Sequence, residues 1–150
     1  MVVNFWHSKF FKDKEQGLPS FHSIQDLKSV GIDLKPSGTC SMRDVSFTSL
    51  CLAGRLKLPP MIVDDSTWPT FLNLIAYEMC PDNFSTNYEV TSYICFLNRL
   101  IECPNDVKEL RSANILHNLL GPDNDVVQLL NEMAKDLVPN AEVYRNVIAK

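Results

Sequence analysis

Apolar and polar positions along the chain change their spacing several times, and each change predicts an element. "SIQDLKSVGI" (23–32) reads as a short helix, with Ser23 as its cap, Asp26 at the capping-box position and Gly31 as its stop. "SGTC" (37–40), after Pro36, reads as a loop. "RDVSFTSLCLAGRLKLPP" then alternates: Val45 and Phe47 share one face, Leu56 and Leu58 another. That pattern predicts a β-hairpin turning at Ala53-Gly54, and Pro59 and Pro60 end its second strand because neither can donate a ladder hydrogen bond. From 70 to 80 the chain is apolar almost all round a helical wheel, which predicts a buried helix with Glu78 inside apolar surroundings. "TSYICFLNRLIEC" (91–103) predicts a second enclosed helix, stopped by Pro104. "NDVKELRSANILHNLLG" reads as a short helix, a break at 112–114 and a helical turn ending at Gly121. In "DNDVVQLLNEMAKDLV" (123–138) the apolar and polar sets separate cleanly, the mark of an amphipathic helix lying on a core. The fold expected is therefore mainly α, a compact helical domain with one small β-hairpin, with α+β as second choice. The expected layout is an N-terminal segment 1–22, one domain over 23–138 and a C-terminal tail 139–150.

Composition adds limits. At 150 residues, 45% hydrophobic and 21% charged, the chain can bury a core. Its net charge of -4 disfavours nucleic acid as a partner. The basic residues gather once, in "NFWHSKFFKDK" (4–14), which reads either as an interfacial membrane segment or as a short helix packed through Trp6 and Phe10. No apolar run approaches the ~18 residues of a membrane span, and the N-terminus lacks a signal-peptide pattern. The expected location is cytoplasmic or peripheral to a membrane. Cys40, Cys51, Cys80, Cys95 and Cys103 are odd in number and lack C-x-x-C spacing, and the three histidines form no H-x-x-x-H pair. Free thiols and no metal are expected. "NFS" (83–85) fits a glycosylation sequon by chance.

Chemistry has few footholds. Five scattered glycines make no phosphate-binding loop, and there is no G-x-S-x-G. No cofactor and no catalytic residue are expected. Asp64 and Asp65, beside Ser66 and Thr67, look at first like a reaction centre. Neighbours on an extended backbone point to opposite sides, however, which suits neither a shared-proton pair nor two ligands on one metal. Asp64, Asp65, Ser66 and Thr67 read better as a helix start. A hydroxyl of Ser66 or Thr67 caps the free amides, the carboxylates lie at the positive helix end, and Pro69 occupies the first turn. Glu78 is a buried charge that needs partners, with Arg99 and Arg43 the leading candidates.

"LKLPPMIVDDSTWPTFLNLIAYEMC" (56–80) resembles a signature of the plant family called domain of unknown function 247, which carries L-x-I-P-P-hydrophobic-x-I-D-D-x-T followed by F-x-N-L-I-A-aromatic-E-x-C. "IQDLKSVGIDLKPS", the "VTSY" block and the helix after "LLGPDNDVV" are similar to its flanking motifs. Trp68-Pro69-Thr70 departs from the family's usual Glu-x-Leu. The resemblance covers about 24–138. It implies a plant protein whose longer relatives usually end in one membrane span, so that this chain is expected to be a truncated form. Some grass members are implicated in self-incompatibility, which implies recognition of another protein. The function expected is a non-enzymatic protein-recognition or scaffold domain with an unknown protein partner. The alternative is an enzyme with its site around Glu78, and the nature of Glu78's partners discriminates between the two.

Overall fold

The computed structural model describes residues 23–50, 53–80 and 88–138. The segment 1–22, Cys51, the sequon at 83–85 and the tail 139–150 lie outside the described residues.

The first helix, α1 (Ile24–Ser29), is capped as its sequence predicts, with Ser23 Oγ accepting the Asp26 amide at 3.4 Å. Gly31 follows at φ +84°, a left-handed conformation that glycine adopts without steric cost. The chain then extends as β1 (Ile32–Pro36), returns through a loop to β2 (Ser46–Leu50), and enters β3 (Ala53–Leu58). β3 inserts between the other two, parallel to β1 and antiparallel to β2. Ile32 and Leu34 are buried while Asp33 and Lys35 face solvent, and β3 repeats the alternation with Leu56 and Leu58 inward. At Gly54 the sheet has no room for a side chain: a Cβ there would lie 2.9 Å from the Phe47 ring and 3.1 Å from Ile32 Cγ1.

Pro59 and Pro60 separate β3 from β4 (Met61–Val63). β4 pairs in parallel with β5 (Leu116–Asn118), from Met61 opposite Leu116 to Val63 opposite Asn118. Between them run α2 (Thr67–Glu78), α3 (Glu89–Leu100) and α4 (Pro104–Ser112), and α5 (Asp123–Ala134) closes the described fold. α4 ends in a Schellman motif: Asn114, at φ +57°, donates to Arg111 O, and Ile115 donates to Leu110 O at 2.9 Å. Leu110 and Ile115 are both buried, and the Ile115 carbonyl accepts the Met61 amide at 2.8 Å, so the motif steers the chain directly into β5.

α3 lies at the centre. Eight of its residues are buried, with α2 and α5 packed against it. α5 turns Val126, Val127, Leu130 and Met133 inward, the face its periodicity predicts.

Three expectations need correction. The domain is α+β: the described residues hold five helices, a three-stranded sheet and a two-stranded sheet, where the pattern predicted a mainly helical domain with one hairpin. β4 and β5, at three residues each, are too short for periodicity to reveal, β5 lies where a helical turn was expected, and β1 was not foreseen. Ala53 and Gly54 are strand residues paired with Leu50 and Ser49, so the hairpin turns before them. Finally, α2 is not enclosed. Only Thr67, Ile75 and Glu78 are buried, because its neighbours α3 and α5 cover one side alone.

Candidate functional site

At the start of α2 the polar groups form a closed ring. Asp64 Oδ1 accepts the Ser66 amide at 2.9 Å, the Ser66 hydroxyl at 2.7 Å and the Thr67 hydroxyl at 3.2 Å. Thr67 Oγ1 in turn accepts the Asp64 amide at 2.8 Å. The roles expected of these residues are thereby exchanged. Ser66 occupies the cap position in helical conformation and its hydroxyl caps nothing, because it donates to Asp64. The carboxylate holding the turn is that of Asp64, and Asp65 is exposed. The physical reason is the turn at 64–66, which bends the backbone before the helix and brings Asp64 over the first amides. Pro59 is buried and Pro60 half-buried between the two sheets.

Hydrogen bonds from the Ser66 hydroxyl foremost, and from the Ser66 amide and Thr67, hold the Asp64 carboxyl below its ordinary pKa. A depressed carboxyl contributes stability that is complete above the unfolded-state pKa, about 4, and is lost as pH falls through the lower folded-state value. Asp64→Ala is therefore expected to lower Tm at neutral pH, and the gap from the parent should narrow below about pH 4. Thermal scans of both proteins from pH 7 to pH 2 check this. A gap that is constant across the range would contradict the ionised-ring account.

At the other end of α2, Glu78 is 6% exposed. Its Oε1 accepts the Val90 amide at 2.7 Å, and its Oε2 accepts the Thr91 amide at 3.0 Å and the Thr91 hydroxyl at 2.8 Å. Val90 and Thr91 are the second and third residues of α3, whose own cap residue, Tyr88, sits at φ +52° and offers no side-chain cap. Glu78 thus supplies from another helix the acceptor that α3 lacks, with its charge at the positive end of that helix. The described donors to Glu78 are these two amides and the Thr91 hydroxyl, and Arg43, one of the two arginines expected beside it, is bonded to Glu89 at 2.7 Å.

A third carboxylate, unmarked in the sequence reading, is the most buried. Asp106 is 0% exposed. One oxygen accepts the Gln25 amide of α1 at 3.0 Å. The other accepts the Glu102 and Cys103 amides at 3.0 Å and the Cys103 thiol at 3.3 Å. It caps α4 from its third position and clamps α1 to it, helped by the Lys28–Glu109 ion pair on the surface. The available signal was "CPND": Pro104 at the first helical position, Asp106 at the third, and cysteine where a capping box has serine or threonine.

These carboxylates are held apart, each enclosed by its own donors. Among the described residues no group of three or more His, Cys, Asp or Glu side chains could hold a metal ion. Cys95 is buried on α3 and burial pushes its thiol up, an arrangement that favours packing over reactivity.

What the fold leaves open is the outer side of α2. Trp68, Leu72, Ile75 and Met79 recur at spacings of four, three and four, so they form one stripe along the helix. Ile75 is buried and Trp68 half-buried, but Leu72 is 41% and Met79 55% exposed. Leu74 is exposed on the other flank. From Thr67 to Met79 the one charged residue is Glu78, and it points inward. This surface carries no charge, and beside its apolar residues it exposes Thr70 and Asn73.

A family model described as a plant protein of unknown function, DUF247, matches residues 8–150. This chain belongs to the DUF247 family. Two Arabidopsis thaliana proteins are similar to it. Putative UPF0481 protein At3g02645 is 30% identical over 115 residues, which cover 77% of this chain and 21% of the relative. UPF0481 protein At3g47200 is 32% identical over 98 residues, covering 64% and 20%. The chain therefore spans about a fifth of the length of the curated relatives it matches. No solved structure matches it. In this DUF247 chain no described helix is long and apolar enough to cross a membrane.

Proposed function

We propose that this DUF247 chain is a non-enzymatic recognition domain that binds another protein through the outer face of α2. The observation that carries the proposal is the Trp68–Leu72–Ile75–Met79 stripe, in which Leu72 and Met79 are exposed, on a helix whose one charged residue, Glu78, points inward. Apolar residues at that spacing seat a second helix by ridges into grooves. A surface without charges favours a partner surface that is also neutral, since a charged one would be desolvated without compensation. The occupant is thus an uncharged, apolar helix of the partner protein. The geometry at Glu78 supports the same reading over an enzyme at that residue, because its described contacts are helix amides and a hydroxyl.

The test compares the parent with a Leu72→Glu/Met79→Lys double variant in affinity capture from plant tissue, followed by measured binding of each purified candidate. Both positions are exposed, so the variant should keep the parent's circular dichroism and Tm. A partner whose affinity falls at least tenfold in the variant is the expected result. Capture of the same proteins at the same affinities by both forms would overturn the proposal. A dimer of the parent that dissolves in the double variant would reassign the face to self-association.

A further inference from the structure

A second feature lies away from α2, where β4 and β5 meet the end of α4. There the surface opens into a pocket of about 670 Å³, within the ~300–1,000 Å³ range of small-ligand sites. Its apolar side includes Met61, Ile115 and Leu116. Its polar side includes Lys108, Arg111 and His117, and among the described residues no carboxylate lines it. That is a local reversal in a chain of net charge -4.

The cationic groups are arranged differently from one another. Lys108 and Arg111 are three apart on α4 and so lie on neighbouring parts of one helix face. The Lys108 ammonium makes no ion pair with a described residue. Arg111 is held by Asp123, whose two oxygens both accept from Nη1 at 3.0 Å. Asp123 is itself fixed by the Asn118 amide at 3.0 Å. This pairing offsets the charge of Arg111 but orients its guanidinium and leaves Nε and Nη2 as donors. The excess positive charge comes from Lys108, and the directed hydrogen bonds come from Arg111. A helix C-terminus would ordinarily oppose an anion through its free carbonyls. Here they are engaged: Lys108 O by the Ser112 hydroxyl, Glu109 O by Ala113, Leu110 O by Ile115 and Arg111 O by Asn114.

We propose that this pocket binds a small organic anion, its carboxylate or phosphate head held by Lys108 and Arg111 and its apolar body resting on Met61, Ile115 and Leu116. The proposal does not depend on the α2 face, which shares no residue with the pocket.

Cys40, an exposed free thiol that lines the pocket, supplies the readout, and Cys80, also exposed but outside it, supplies the control. The full chain is alkylated with iodoacetamide and followed by peptide mass spectrometry in the presence of phenyl phosphate, benzoate, inorganic phosphate or benzyl alcohol. At saturation either aromatic anion should slow alkylation of Cys40 at least tenfold and leave Cys80 unchanged. Whichever of the two protects identifies the head group. Lys108→Glu should raise the Kd read from that protection at least tenfold, with Lys108→Gln intermediate. Lys108 is exposed, so both variants should melt with the parent. The proposal is overturned if neither aromatic anion protects Cys40, or if benzyl alcohol or inorganic phosphate protects as well as they do. An unchanged Kd in both Lys108 variants would also overturn it.

Discussion

Asp106→Ala should be the most destabilising single substitution among the polar residues of this domain. The Gln25, Glu102 and Cys103 amides would lose their acceptor at a site from which water is excluded. Each unpaired buried donor costs ~1–3 kcal/mol, and partial rearrangement brings the expected total to about 3–5 kcal/mol. That is a large share of the ~5–15 kcal/mol that separates folded from unfolded states. Asp106→Asn should be little better, although it keeps the shape. Both carboxylate oxygens face N–H donors, so whichever way the new amide turns, its NH2 group meets another donor. Denaturant unfolding of the parent and both variants decides the matter. Recovery of most of the lost stability by asparagine would show that shape, and not the acceptor pair, is what the site requires.

Glu78→Gln is expected to cost about 2–4 kcal/mol, since charge-assisted bonds to two helix amides are replaced by one neutral acceptor and a donor facing a donor. The loss should be coupled to Thr91. In a double-mutant cycle with Thr91→Val, the combined cost should fall short of the sum of the single costs by about 0.5 kcal/mol or more, because both substitutions break the same hydroxyl–carboxylate bond. Unfolding of Glu78→Gln at the parent's denaturant midpoint would remove the basis for treating Glu78 as the cap of α3.

The parts of the fold that were legible in the sequence are those whose signal is local. α1 is announced by Ser23 and Gly31, the end of β3 by two prolines, and α5 by its clean amphipathic stripe. The family resemblance was legible for a related reason, since its motifs are contiguous. What was not legible depends on distant partners. β4 and β5 are three residues each and become strands only because the Schellman motif after α4 lays one beside the other. α2 is as apolar as a buried helix, and only the placement of its neighbours determines that one side stays open. Asp106 sits in a polar run in which nothing distinguishes a buried clamp from an exposed first-turn acid, and its partner Gln25 lies far away in sequence. Asp64 and Ser66 exchanged roles because one turn of backbone sets which of two polar groups, two residues apart, faces the amides.

The clamp between α1 and α4 also constrains the order in which the protein can assemble. The Gln25–Asp106 bond and the Lys28–Glu109 pair each close a loop of 81 residues. Contacts this distant are slow to form, since the chain loses loop entropy before the contact returns anything. During synthesis at ~5–20 residues per second, α1 emerges roughly 4–16 s before the residue that anchors it. Throughout that interval Ile24 and Leu27, which end in the core, have no α4 to cover them. α1 is therefore open to chaperones and proteases until Asp106 has followed it out of the ribosome and α4 can form over it.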